Sequence, residues 1–154
     1  MAMLRITSLW VVLAALLLVA CSNPSIQPGT NKYGAGALER AMADYVTEYP
    51  GRTREELRQN DKVVGEVKRL IRQGADVNYQ RPDRGDTPLH IAVLYKAPDL
   101  VRVLVNAGAR LDIEETARGG LTPLEYAQWL QQRNPERDYS AVIRILEQAK
   151  RERQ

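Results

Sequence analysis

Apolar residues in the second half of the chain recur at the spacing of one helical face. Leu100, Val101, Leu104 and Val105 stand at i, i+1, i+4 and i+5, and Val63, Val64, Val67, Leu70 and Ile71 form a similar stripe upstream. Each stripe stops at a glycine, Gly108 or Gly74, the residue that most readily takes the left-handed backbone that closes a last helical turn. A further stripe, Val142, Ile143, Ile145 and Leu146, lies near the C-terminus. A second kind of helix start precedes the last two stripes. Thr87-Pro88-Leu89-His90-Ile91-Ala92 returns as Thr122-Pro123-Leu124-Glu125-Tyr126-Ala127. In both, a threonine hydroxyl can cap the helix and a proline takes its first position, where a missing N–H costs nothing. Glu125, three residues after Thr122, completes a capping box by reaching back to the cap residue's N–H, and His90 holds the equivalent place.

Two helices and a stop make one unit, and the unit repeats. Gly74-Ala75-Asp76-Val77-Asn78 is matched by Gly108-Ala109-Arg110-Leu111-Asp112 at nearly the same offset as the threonine blocks. A third unit shows only as Leu38/Ala41, a leucine followed by a small alanine that lets helices approach, matching Leu89/Ala92 and Leu124/Ala127. The offset is close to the period of about 33 residues of an ankyrin unit, and the chain resembles an ankyrin-repeat protein. The predicted fold is all-α: an ankyrin-repeat solenoid of about three helix pairs over residues 37–150, with short hairpin-like loops, modified end caps and a charged tail at 151–154. Insertions around Gly51 to Asn60 and around Gln131 to Ser140 mark the first and last units as caps, and three units are near the minimum for independent stability.

The front of the chain has a different character. Ile6 to Ala20 is an apolar run behind a single cation, Arg5, with the length of a secretory signal rather than of a membrane-spanning helix. It ends Leu18-Val19-Ala20-Cys21, which resembles a bacterial lipobox. Cys21 is the only cysteine, so a disulfide is excluded and lipidation fits. Two or three acyl chains such as palmitate, at about 0.8 kcal/mol per buried CH₂, would hold the protein on a membrane without appreciable release. Residues 1–20 are therefore read as a lipoprotein signal, and 21–36, rich in Ser, Asn, Pro and Gly, as a flexible tether. Ser22 stands where the inner-membrane retention signal of enteric lipoproteins has Asp, so the resemblance places the protein on the periplasmic face of the outer membrane.

About 134 residues follow the signal, enough for one domain. The formal charge of +3 becomes +2 without Arg5, and cations and anions alternate along the chain, the pattern of a solvated surface rather than a nucleic-acid patch. Lys150-Arg151-Glu152-Arg153, with Arg133, Arg137 and Arg144, could meet anionic lipid, but cations also gather at helix C-termini because the macrodipole favours them there. Groups for catalysis are few: one His, no Gly-Xaa-Ser-Xaa-Gly elbow and no phosphate-cradling glycine loop. By resemblance, His90 is structural and hydrogen-bonds between repeats. Asp83, Asp86, Glu114 and Glu115 lack the ligand spacing of a calcium loop and read as loop solubilisers. No enzyme activity, metal, cofactor or small-molecule ligand is expected.

In ankyrin proteins the partner meets the loop tips and the exposed face of each first helix. By position this selects Asp83, Arg84, Asp86, Leu94 and Tyr95 in the second unit, and Arg118, Leu121, Trp129 and Leu130 in the third. Asp44 and Tyr45 fall near the corresponding place in the first. Leu94, Tyr95, Trp129 and Leu130 would form an apolar, aromatic stripe with a charged rim, the composition of an interface hot spot; packing under the last cap is the other reading for Trp129 and Leu130. Lys96 departs from the family, which usually has Gly at this turn. The expected role is a membrane-tethered protein-binding module. Its architecture is similar to that of immunity proteins that neutralise interbacterial toxins, including lipid-degrading effectors of type VI secretion, and also to periplasmic scaffolds that support a resident enzyme. Replacing Cys21 by Ala should release the protein from the outer-membrane fraction on density-gradient separation; unchanged sedimentation with membranes would remove the lipoprotein reading.

Overall fold

The computed structural model describes residues 36–45 and 53–154. The expected signal 1–20, Cys21 and the tether up to residue 35 lie outside these residues, as does the start of the first insertion at Gly51. Six α-helices and no strands are present among the described residues: α1 (Ala37–Met42), α2 (Arg54–Arg72), α3 (Pro88–Leu94), α4 (Pro98–Asn106), α5 (Pro123–Arg133) and α6 (Ser140–Glu152). They pack as pairs α1/α2, α3/α4 and α5/α6. The first helices stack α1 on α3 on α5, and the second helices α2 on α4 on α6. This is the solenoid expected, in which each pair buries its apolar stripe only against its neighbours.

The helix starts follow the capping chemistry. Thr122 donates its N–H to Glu125 Oε2 at 2.9 Å and accepts the Glu125 N–H on its hydroxyl at 3.4 Å. A second box, which the sequence reading passed over, opens α2: Thr53 donates its N–H to Glu56 Oε2 at 2.7 Å and accepts from the Glu56 N–H at 3.2 Å. Its Thr-Xaa-Xaa-Glu signature was there to be read. The described part of the expected insertion, Arg54 to Asn60, forms the first two turns of a 19-residue helix. Likewise Gln131 to Arg133 lengthens α5, and only residues 134–139 form a connection.

The stops share one geometry. After α2, Ala75 N–H reaches the Leu70 carbonyl and Gly74 N–H that of Ile71; after α4, Ala109 reaches Leu104 and Gly108 reaches Val105, all between 2.9 and 3.1 Å. Both glycines have positive φ, 91° and 88°. The same pair of bonds closes α3, from Ala97 to Ala92 and from Lys96 to Val93, with Lys96 itself in the left-handed region at φ 52°. The turn therefore has the geometry of the Gly74 and Gly108 turns, made with a lysine.

Leu89, Ala92, Val93, Leu100, Val101 and Leu104 form the middle of the core, and Tyr139, Val142 and Leu146 seal it from the last pair. At the C-terminus Arg153 is tied into the fold: its guanidinium donates to the carbonyls of Ala109 and Val105, both at 2.7 Å, beside the end of α4. Lys150 and Arg151 lie in the last turn of α6, the arrangement the helix-end reading describes.

Between units the loops lie side by side. Gln80 donates to the Glu114 carbonyl, Arg110 N–H to Asn78 Oδ1 at 2.7 Å, and Thr116 N–H to the Arg84 carbonyl at 2.9 Å. The last bond brings Thr116 so close to Gly85 that a Cβ there would sit 2.8 Å from the Thr116 nitrogen, and Gly85 has φ 68°. Gly85→Ala should therefore lower the unfolding free energy by roughly 2 kcal/mol or more, from backbone strain plus displacement of the neighbouring loop. Urea denaturation measures it, and an unchanged midpoint would show that the loop pairing contributes little.

Candidate functional site

The second and third units meet at a buried imidazole. His90 is 1% exposed, and its Nδ1 accepts from the Thr87 N–H at 3.2 Å and the Thr87 hydroxyl at 2.9 Å. An N–H can only donate, so Nδ1 is bare and the proton rests on Nε2, which donates to the Leu121 carbonyl at 3.0 Å. Burial holds the His90 pKa below the usual value, while the Leu121 hydrogen bond and the charges of Asp86 and Glu115 oppose that shift. Both nitrogens are engaged and shielded from solvent, which is a structural role.

Around this imidazole the loop carboxylates divide. Asp83 is exposed and paired with Arg81 at 2.7 Å. Asp86, expected as a partner contact, is 4% exposed and lies 3.5 Å from Arg81 and 3.7 Å from Arg84; it holds the base of the loop and cannot present itself to a partner. Glu115, expected to solubilise its loop, is completely buried. Its two oxygens accept the Arg118 N–H at 3.0 and 2.9 Å, closing the turn that leads into α5. Glu39 of α1 is half-buried with its carboxylate oxygens shielded near Arg81 and Asp86, and desolvation raises its pKa, with its own backbone N–H and then Arg81 opposing.

Among the remaining predicted contacts, Leu94, Tyr95, Leu121 and Trp129 are half-buried and lean on the core, Arg84 and Arg118 are half-buried on the loops, and Leu130 is 6% exposed. Leu130 faces inward because it falls one residue beyond Trp129, about 100° further round α5. Tyr45 is likewise 5% exposed and belongs to the core. The expected four-residue stripe is thus reduced to Leu94, Tyr95 and Trp129.

Cations and rings surround Trp129, and of them positional transfer had named only Arg118. Tyr126 stacks on it with centroids 6.0 Å apart, the Arg133 guanidinium lies 4.5 Å above its ring, and Arg118 lies 4.9 Å above Tyr126. In the following connection Arg137 lies 5.9 Å from the ring of the buried Tyr139. The signal was the spacing of Tyr126, Trp129 and Arg133 at i, i+3 and i+7, which puts them on one helical face. A cleft of about 480 Å³ opens elsewhere, near the C-terminus, over Leu111, Leu124 and Leu146. Two of its cations are already engaged, Arg110 by Asp112 at 2.7 Å and Arg153 by backbone carbonyls.

Comparison with known proteins agrees with this geometry. Residues 70–127, from the end of α2 into α5, match the family model for ankyrin repeats in many copies. The chain carries ankyrin repeats. Among similar proteins are regulatory protein NPR5 of Arabidopsis thaliana, 45% identical over 60 residues, and protein phosphatase 1 regulatory subunit 27 of Homo sapiens, 48% identical over 46. NF-kappa-B inhibitor cactus of Drosophila melanogaster is 36% identical over 58. These alignments cover 38%, 30% and 38% of this chain and 12%, 29% and 12% of the relatives, so the chain spans less than a third of the length of each. Ankyrin repeats are a protein-interaction module.

Stability should depend on pH through His90. Its pKa lies below the unfolded value of about 6.5, so the unfolded chain takes up the proton first as pH falls. The contribution is complete above about pH 6.5 and declines as pH drops from there toward the folded pKa. Glu39, with a raised pKa, acts in the opposite sense, so the difference between wild type and His90→Gln isolates the histidine. Chemical denaturation at a series of pH values should show a flatter curve for His90→Gln below about pH 6.5; parallel curves would mean that the imidazole is not held neutral.

Proposed function

We propose that this chain is a lipid-anchored, periplasmic protein-binding module that acts as an immunity protein, neutralising a secreted interbacterial toxin of the kind delivered by type VI secretion. The observation that carries the binding part is the surface of the second and third repeats, where Leu94, Tyr95 and Trp129 are half-buried and the Arg133 guanidinium lies over the Trp129 ring. Exposed aromatic and arginine side chains on a rigid support are the composition of interface hot spots, and a rigid surface loses little entropy on binding. Relatives whose names state inhibition of a factor or regulation of a phosphatase support action through another protein. The apolar run 6–20, the lone Cys21 and the polar tether support tethering at the envelope, where an anchored inhibitor meets a membrane-attacking enzyme at high effective concentration.

The test is recovery of partners from native envelope with the tagged chain, identified by mass spectrometry. One secreted toxin, inactivated when this protein is added, is the expected outcome. Recovery of a resident envelope enzyme with its activity intact would replace immunity with scaffolding. With the partner in hand, Tyr95→Ala should weaken binding by more than about 1 kcal/mol in calorimetry; unchanged affinity would take Tyr95 out of the contact.

A further inference from the structure

The arginines of this domain fall into two sets. Arg69, Arg81 and Arg110 are closed by neighbouring carboxylates at 2.5 to 2.7 Å. Arg133 and Arg137 have no carboxylate within ion-pair distance among the described residues, and Arg118 has only Glu115, at 3.8 Å. Instead they lie over rings: Arg118 over Tyr126, Arg133 over Trp129 and Arg137 against Tyr139. A guanidinium drawn to an aromatic ring loses side-chain freedom, and its N–H groups can still grip a carboxylate with two parallel bonds.

Nearby acids do not fill that role. Glu115 is buried and holds the Arg118 backbone, and Asp138, next to Arg137 in sequence, accepts from the Ser140 N–H and hydroxyl. Glu136 is exposed beside Arg137 and forms no ion pair among the described residues. Arg133 and Arg137 therefore present positive charge without a carboxylate partner among the described residues beside a half-buried tryptophan, and Arg118 adds a guanidinium only loosely paired with the buried Glu115.

Resting on the protein-binding reading, we propose that Arg118, Arg133 and Arg137, seated on Tyr126, Trp129 and Tyr139, form the docking row for an acidic protein surface whose Asp and Glu carboxylates take the guanidinium edges. Charge complementarity selects the partner's sign; the guanidinium fork takes carboxylates and phosphates alike, and the protein-binding reading makes the carboxylates of a protein the expected occupant.

The probe is a fluorescein-labelled hexaglutamate peptide, added to the full-length chain in detergent micelles at low salt and followed by anisotropy. Saturable binding is expected, weakened at least ten-fold by Arg133→Ala with Arg137→Ala and substantially by the two Lys replacements, which keep the charge but lose the planar fork. Arg102→Ala, exposed on α4, is the control and should bind as wild type. Equal weakening by Arg102→Ala, or none by the double variant, would reduce the effect to diffuse charge and overturn the assignment. Tighter binding of oligothymidylate than of hexaglutamate would make the row a phosphate site and overturn it too. In the envelope recovery experiment, a partner retained by the double variant overturns this row while leaving the binding reading intact; an envelope that yields no partner to either chain counts against the reading itself.

Discussion

The His90 imidazole joins the two best-formed repeats, and the rest of the domain is arranged so that it can. One ring nitrogen ends the chain reversal at Thr87, and the other reaches the Leu121 carbonyl at the entrance to α5. This works only for a neutral ring of one tautomer, and burial beneath the loops secures both. The Leu121 carbonyl also accepts the Glu115 N–H, so one carbonyl gathers the loop of the third repeat and the helix start of the second. Removing such a bond costs more than its modest net worth, because the abandoned buried partner keeps its desolvation penalty.

Close approach between repeats has its own requirement at the loops. The Arg84 carbonyl receives the Thr116 N–H only because Gly85 has no side chain, and Asn78 caps the Arg110 N–H across the same gap. Buried carboxylates complete the arrangement, Asp86 against Arg81 and Arg84, and Glu115 around the Arg118 N–H. Paired in this way a buried acid is tolerated, and leaving either without its partner would be costly.

Helix faces, glycine stops and the Thr122 box were legible because each is a local rule written within a few residues. Lys96 shows where local rules overstate themselves. A lysine in a left-handed turn costs about 1 kcal/mol, and the two backbone bonds that close α3 hold the turn nevertheless. The candidate site was less legible because exposure depends on neighbours distant in sequence. Asp86 and Glu115 are loop acids by position, yet one is closed over by Arg81 and Arg84 and the other by the turn to Arg118, which no spacing announces. Leu130 was misplaced for a simpler reason: adjacent residues on a helix face different directions, so Trp129 and Leu130 cannot share one surface.

The same distinction shifts the proposed contact surface from loops to helix. Positional transfer favours loop tips, but here the tip charges answer one another, Arg81 with Asp83 and Arg110 with Asp112, and exposed pairs of this kind contribute little to recognition while limiting what the loop offers a partner. On α5 the situation is reversed. Among the described residues no acid pairs with Arg133, whose guanidinium instead lies 4.5 Å from the Trp129 ring centroid before any partner arrives. Less side-chain freedom then remains to be lost on binding, which is why the α5 face, more than the loops, is proposed as the docking surface.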